Sequence, residues 1–163
     1  MQVQVLGRYD EGISLLDRAI ELDPNLAVAW ELRGVCKGGQ GKIEEAIRDL
    51  EHALRLNPRN PRRWVAQHGL AWVCLLAGRY DEANSWASKV LQTQPHLGFT
   101  IRVVIAAHAL AGRLDKAHEA MKTHMTLEEG ARISTIRLSY LRRVTPEAFE
   151  LLADGLRKAG FPE

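Results

Sequence analysis

Hydrophobic residues recur at helical spacing in four segments of the chain, and each segment follows a glycine and a basic residue. In the second segment Ile47, Leu50 and Leu54 are three and four residues apart, which places them on one face of a helix. The first three segments end at a proline, and a further helical segment precedes each of the last three glycines. The pattern predicts a repeated helix-turn-helix unit whose glycines, 34, 37 and 34 residues apart, are Gly7, Gly41, Gly78 and Gly112.

A unit of this length and pattern resembles the tetratricopeptide repeat family. The second repeat carries the family's small and large apolar positions at Trp30, Gly34, Ala46, Leu50, Ala53 and Pro58. The resemblance implies an all-α fold, a right-handed α-solenoid of about four units in which helix A of each unit lines the concave face. We expect a single domain over 1–163, with repeats over about 1–26, 27–60, 61–97 and 98–130 and capping helices over about 131–160.

The two ends of the chain depart from the repeat pattern, as the ends of a solenoid do. Six residues precede Gly7, so we expect a truncated first helix A and an incompletely covered helix after it. This predicts either a fragment of a longer repeat protein or a homodimer that forms through the N-terminal edge or the groove. At the other end, Thr145 is the expected N-cap of a final helix that starts with Pro146 and stops at Gly160.

The resemblance implies that partners bind the concave face, at equivalent positions of each helix A. The chaperone-binding members of the family hold acidic C-terminal tails with Lys at the fifth position and Asn at the ninth, and this chain lacks both residues there. Trp72 and Phe99 are candidate anchors for a partner, or they pack against the capping helices. The predicted groove residues are Val28, Glu31, Val35, His68, Trp72, Leu75, Phe99, Arg102 and Ala106.

Glycines cluster just before the turn at Gly41, in a stretch that has the composition of a phosphate-binding loop. The G-x-x-x-x-G-K-[ST] pattern fails, because Cys36 and Ile43 stand where it needs a glycine and a hydroxyl group. Gly38 and Gly39 fall instead on the predicted concave face. They remove side chains from the groove, which raises the question of whether this bare patch lets a partner's backbone approach closely.

Composition and charge indicate which partners, cellular location and chemistry to expect. The 22 basic and 20 acidic residues are interspersed and give a net charge of +2, so no long-range field gathers nucleic acid or anionic lipid. Two cysteines favour a reducing compartment, and the absence of a signal peptide or membrane-length apolar run predicts a cytoplasmic protein. His118 and His124 are six residues apart and do not share a helix face as H-E-x-x-H requires. We therefore expect no metal, no cofactor and no enzymatic activity.

The C-terminal part of the chain carries a second resemblance, to the repeat regions of bacterial multidomain regulators. The stretches "LAGRYDEANSWASKVLQTQP", "AAHALAGRLDKAHEA" and "GLRKAGFPE" resemble those of adenylate or guanylate cyclase-like proteins and winged-helix regulators. The sequence as a whole predicts a non-catalytic protein-protein interaction or oligomerisation module that binds a peptide or helix in its groove. The alternatives are a regulatory or sensory fragment of such a larger regulator, and a stand-alone enzyme with an unrecognised site.

Overall fold

Antiparallel helices joined by short turns stack into an α-solenoid, as the hydrophobic pattern predicts. A computed structural model describes residues 2–140 and 144–163, with side chains from residue 9 onward, and this part of the chain contains helices and no strand. The helices are α1 (Gln2–Leu22), α2 (Ala27–Gly39), α3 (Ile43–Leu56), α4 (Trp64–Leu76), α5 (Tyr80–Thr93), α6 (Gly98–Leu110), α7 (Leu114–Leu127), α8 (Ile133–Tyr140) and α9 (Pro146–Lys158).

Three of the four predicted turn glycines are confirmed. Gly41, Gly78 and Gly112 have φ values of +78°, +73° and +76°, a left-handed conformation that favours glycine. The residue after each one donates its backbone N–H to a carbonyl oxygen in the last turn of the preceding helix, at 2.9 Å. These are Schellman caps, and they close the pairs α2–α3, α4–α5 and α6–α7.

The predicted turn at Gly7, with a truncated helix before it, is wrong. Helix α1 runs through Gly7 without interruption. A glycine inside a helix costs only about 1 kcal/mol relative to alanine.

Small residues let the helices of neighbouring units approach closely. Ala46, Ala83 and Ala117 are fully buried, as predicted for the helix-B alanines. A side chain at Gly34 would place its Cβ 2.7 Å from Leu50, and one at Gly69 would place it 3.1 Å from the same side chain. Leu50 therefore fills a space that exists because these neighbours are small.

Arg33, which replaces the leucine of the family pattern, forms a partly buried ion pair. Its guanidinium donates to both carboxylate oxygens of Asp49, at 2.7 and 2.8 Å, and to Asp17 at 2.6 Å. Burial alone would raise the pKa of Asp49, but hydrogen bonds from Arg33 and Lys37 bring it below its usual value. The bidentate pair with Asp49 joins α2 to α3, and the contact with Asp17 adds α1, at a position where other repeats use apolar packing.

The predicted cap of the last helix is confirmed. The Thr145 hydroxyl accepts a hydrogen bond from the Ala148 N–H at 3.3 Å, Pro146 is the first residue of α9, and Gly160 has a φ of +78°. Helix α9 packs mainly on α6. The two helices approach closely there, since a Cβ added at Gly155 would lie only 2.6 Å from the Cβ of Ala106. The chain thus turns back at its C-terminus and packs on a helix A. The spacing of Ile133, Ile136, Tyr140 and Leu141 also predicts an apolar stripe on the preceding helix, and Leu141 lies outside the described residues.

Candidate functional site

Equivalent positions of the three A helices, α2, α4 and α6, differ sharply in exposure. At the ninth position of the repeat, Val35 of α2 is 42% exposed, Trp72 of α4 is 8% exposed and Ala106 of α6 is fully buried. The surface that the family pattern assigns to the groove is therefore open at α2 and covered toward α6.

The chain's own C-terminal segment covers the α4 and α6 end of this surface. The Tyr140 ring, at the end of α8, lies 5.9 Å from the Trp72 ring and 5.6 Å from the Phe149 ring of α9. Ala106 faces Gly155, as described above. Trp72 and Ala106 thus lie in the core, in contact with the terminal helices.

Arg102 is also held inside the protein. It is buried, and its Nη1 donates to Nε2 of His124 at 3.1 Å and to Glu128 at 2.9 Å, while the Tyr140 ring lies 5.8 Å from its guanidinium. Burial, together with the adjacent Arg102 charge, lowers the pKa of His124. The Phe161 ring contacts His124 edge-on at 5.3 Å and closes the cluster. Arg102 therefore links the C-terminal segment to α6 and α7.

His68 and Phe99 lie half-buried between α4 and α6 and contact each other. Their rings meet edge-on at 4.5 Å, and the Thr100 hydroxyl lies 3.1 Å from Nδ1 of His68. Burial, with a smaller contribution from Arg102, lowers the pKa of His68 to about 4. His68 is therefore neutral near pH 7.

Two further predicted groove residues are also buried. Leu75 is fully buried in the core, and Glu31 is buried beside the connection between α3 and α4.

One apolar stretch of the predicted groove remains open. Val28, Leu32 and Val35 are 45%, 44% and 42% exposed, and their spacing of four and three residues places them on one side of α2. We call these three residues the α2 face. Of the nine predicted groove residues, Val28 and Val35 are exposed and the other seven are buried or half-buried. Leu32 is a neighbour that the family pattern omits.

A basic segment lies next to the α2 face. The connection between α3 and α4 exposes Arg59, Arg62 and Arg63, and Arg63 lines a small cavity together with Glu31 of α2. Burial raises the pKa of Glu31, while the charge of Arg62 opposes this rise. The sequence shows that three extra residues, Pro61, Arg62 and Arg63, make this connection longer than those of the other repeats. The position of the connection beside α2, however, depends on tertiary packing.

Gly38 and Gly39 do not form a bare patch that a partner's backbone could reach. A Cβ at Gly38 would lie 2.7 Å from Val73, and one at Gly39 would lie 2.5 Å from the Tyr9 ring. Both glycines are buried, and their missing side chains admit Val73 and Tyr9 of the same chain. Their effect is close packing of α1, α2 and α4.

Histidine, cysteine and carboxylate side chains are dispersed in the described part of the chain. Within the described residues, no group of three His, Cys, Asp or Glu side chains is placed to hold a metal ion. Burial raises the pKa of the Cys36 thiol and raises that of Cys74 to about 11, so neither thiol is ionised near pH 7. None of the helices in the described part of the chain has the length and apolar character needed to cross a membrane.

The stacked helical hairpins, with a partly open face of A helices, define a helical-repeat scaffold. Two family models described as tetratricopeptide repeat match the chain, one over residues 25–95 and the other over residues 6–26, and together they span more than half of it. The chain therefore belongs to the tetratricopeptide repeat family, as its repeat pattern predicts.

This chain matches parts of larger curated proteins. The chain is 27% identical over 88 residues to anaphase-promoting complex subunit 3 of Schizosaccharomyces pombe, which covers 54% of this chain and 13% of that protein. It is 23% identical over 159 residues to tetratricopeptide repeat protein 33 of Mus musculus, which covers 90% of this chain and 60% of that protein. The chain thus spans less than two thirds of either relative.

Solved structures share the fold at low identity. A MamA from Desulfovibrio magneticus RS-1 superposes with a TM-score of 0.70 at 18% identity, over 98% of this chain and 89% of that one. YrrB, described as a TPR protein with an unusual peptide-binding site, superposes with a TM-score of 0.65 at 17% identity, over 97% of this chain and 81% of that one. The protein is therefore an all-α, right-handed tetratricopeptide solenoid.

Proposed function

We propose that this protein is a non-catalytic interaction module that binds a helix or peptide of a partner protein on the α2 face. Proteins of the family generally mediate protein-protein interactions, which supports the class of function. The finer proposal concerns the place, which is the open N-terminal half of the concave surface.

The observation that supports this proposal is the way α9 packs on α6. The apolar side of α9, with Phe149, Leu152 and Leu156 buried, lies against an A helix of the same protein. The equivalent surface of α2 is also apolar, and no described helix covers it. A surface that accepts an amphipathic helix in one repeat offers the same chemistry in another, where a helix or peptide of a partner can bind.

A peptide-display selection against the immobilised protein tests this proposal. Selected peptides are then titrated against the wild type, Val35→Asp and the matched control Leu138→Asp, which changes an exposed leucine on α8. We expect Val35→Asp to weaken binding about tenfold or more, because a buried carboxylate without a partner opposes an apolar contact, and Leu138→Asp to leave it unchanged. Peptides that bind Val35→Asp as tightly as the wild type would place the site elsewhere.

The other functions considered from the sequence remain predictions. A regulatory or sensory role beside a cyclase-like or DNA-binding domain is tested by the length of the natural reading frame. An unrecognised enzymatic site is tested by a metal analysis and a nucleotide-binding screen. The cytoplasmic location is tested by cell fractionation, and binding to nucleic acid, which we do not expect, by titration with an oligonucleotide.

Self-association also remains a prediction. Leu15 and Leu22 are exposed on α1 and lie seven residues apart on one side of that helix, which fits an N-terminal contact between two copies. Sedimentation over a range of concentrations checks this, and a mass that stays at one chain throughout argues against a homodimer.

A further inference from the structure

The connection between α3 and α4 presents an unusual group of charges. Arg59, Arg62 and Arg63 lie within five residues of each other and all three are exposed, and the connection contains no acidic residue. The equivalent connection between α5 and α6, "QPHL", has no arginine. The extra residues of the longer connection are thus largely basic.

These arginines lack the carboxylate partners that most other arginines of the described chain have. Within the described residues, none of the three has a carboxylate oxygen within 4.0 Å, whereas eight others do. Arg63 donates its Nη1 to the Pro58 carbonyl oxygen at 3.1 Å, so it holds the connection in place. Arg59 and Arg62 form no side-chain hydrogen bond within the described residues. The arginines that pair elsewhere are Arg18, Arg33, Arg55, Arg79, Arg102, Arg113, Arg137 and Arg157.

The connection that carries these charges adjoins the open apolar surface. Arg63 and Asn60 line the same small cavity as Glu31 and Ala27, and Val28 follows Ala27 at the start of α2. Arg62 is close enough for its charge to act on Glu31. The basic connection therefore lies at the end of the α2 face where α2 begins.

From this juxtaposition we infer that the partner segment is acidic as well as amphipathic: its apolar side chains contact the α2 face and its carboxylates pair with Arg59 and Arg62. This inference rests on the proposed function and names the chemistry of the partner. It differs from recognition by Lys and Asn at groove positions, because the cationic groups come from the connection between repeats. Exposed arginines next to an apolar strip suit a segment that offers carboxylates on one side and leucine-like side chains on the other.

The combination favours a peptide over a polyanion such as nucleic acid. A nucleic-acid surface needs basic groups that follow a backbone over many phosphates, commonly with exposed aromatic rings for stacking. Here the adjoining surface is aliphatic, and the net charge of the whole chain is only +2. The arginines thus favour a negatively charged peptide at a site whose main contacts are apolar.

Two synthetic peptides of about 18 residues test the inference, since that length forms a helix as long as α2 with room at both ends. Both carry the same leucine stripe at helical spacing, and their other positions are mostly glutamate in one and mostly lysine in the other. Each is titrated by fluorescence anisotropy against the wild type and three variants. The variants are Val35→Asp, Arg59→Glu/Arg62→Glu, and the control Arg48→Glu/Arg132→Glu, which makes the same charge change at two exposed arginines without carboxylate partners.

We expect the glutamate peptide to bind the wild type about tenfold more tightly than the lysine peptide, with a smaller difference at high salt. Arg59→Glu/Arg62→Glu should remove or reverse this preference, while Arg48→Glu/Arg132→Glu should keep it. Circular dichroism checks that each variant retains its helices and its melting midpoint.

The alternative outcomes separate the two proposals. If neither peptide binds, or if Val35→Asp binds both unchanged, the proposed site on the α2 face fails. If both peptides bind the wild type equally and lose affinity in Val35→Asp, the site stands and the charge inference is overturned. Binding of oligo-dT as tightly as the glutamate peptide, and independent of Val35, would show a polyanion surface and also overturn the inference.

Discussion

The contact between α9 and α6 predicts that Gly155→Ala destabilises the protein, although helix propensity alone predicts that it stabilises it. Gly155 lies in the interior of α9, where alanine would ordinarily stabilise a helix by about 0.5–1 kcal/mol. Its Cβ would however lie 2.6 Å from the Cβ, 2.7 Å from the Cα and 3.0 Å from the carbonyl oxygen of Ala106. Because two of these atoms belong to the α6 backbone, they cannot rotate away as the end of a side chain can.

Gly12 provides a matched control. It lies inside α1, and the nearest atom to its added Cβ is the sulfur of Cys36 at 3.8 Å, an ordinary contact distance. Gly12→Ala should therefore gain the full propensity of about 0.5–1 kcal/mol, whereas Gly155→Ala should also pay an overpacking cost of about 1–3 kcal/mol. At about 2–4 °C per kcal/mol for a chain of this size, the two melting midpoints should differ by about 2–12 °C.

Thermal and urea denaturation followed by circular dichroism at 222 nm measures this difference. The double variant Gly155→Ala/Ala106→Gly should recover only part of the loss, because the Ala106 Cβ is removed while the backbone atoms stay in place. A Gly155→Ala protein that is as stable as Gly12→Ala would refute the reasoning. In that case α9 would not pack closely on α6, and the concave surface would be open along its length.

Three further predictions concern the core, the histidines and a turn. Trp72→Ala should cost about 3–5 kcal/mol of unfolding free energy, measured in urea, because the ring is buried against Tyr140; a loss below 1 kcal/mol would show a surface residue. The pKa of His68 is lowered to about 4 and that of His124 is also lowered, from 6.5. The unfolded chain then binds more protons, so stability should fall as the pH drops from about 6.5 toward 4, and a urea midpoint that is equal at pH 7.5 and pH 5 would contradict this. Gly41→Ala should cost about 1 kcal/mol in the same urea assay, from its left-handed φ alone, because no atom lies within 4 Å of the added Cβ; an unchanged midpoint would mean that the turn relaxes freely.

The turns between paired helices were predictable because their requirement is local. A left-handed φ at the helix end selects glycine, and the sequence shows this at Gly41, Gly78 and Gly112. Gly7 has the same neighbours in sequence and the opposite outcome, because a lone glycine is also tolerated inside a helix. The N-cap at Thr145 was equally predictable, because its hydrogen bond to the Ala148 N–H lies within the first helical turn.

The candidate site was only partly predictable, because burial depends on distant contacts. The family pattern gives Val35, Trp72 and Ala106 the same position, yet only Val35 remains open. What separates them is the return of the last two helices: Tyr140 at the end of α8 lies against Trp72, and Gly155 of α9 lies against Ala106, although these partners are far apart in the chain. The unpaired state of Arg62 is likewise a tertiary property, since charge alone does not tell which arginines find carboxylates.

The difference between Ala106 and Val35 also limits how a partner can bind. Ala106 and Gly155 let the backbones of α6 and α9 approach closely, and such a contact selects strongly for small residues. Val35, with Val28 and Leu32 beside it, keeps a partner helix farther away, where larger side chains pack between these three. Packing of that kind accepts many apolar sequences and discriminates poorly among them. Selectivity must then come from groups at the edge of the strip, and the basic connection next to it carries Arg59, Arg62 and Arg63, none of which has a carboxylate partner within the described residues.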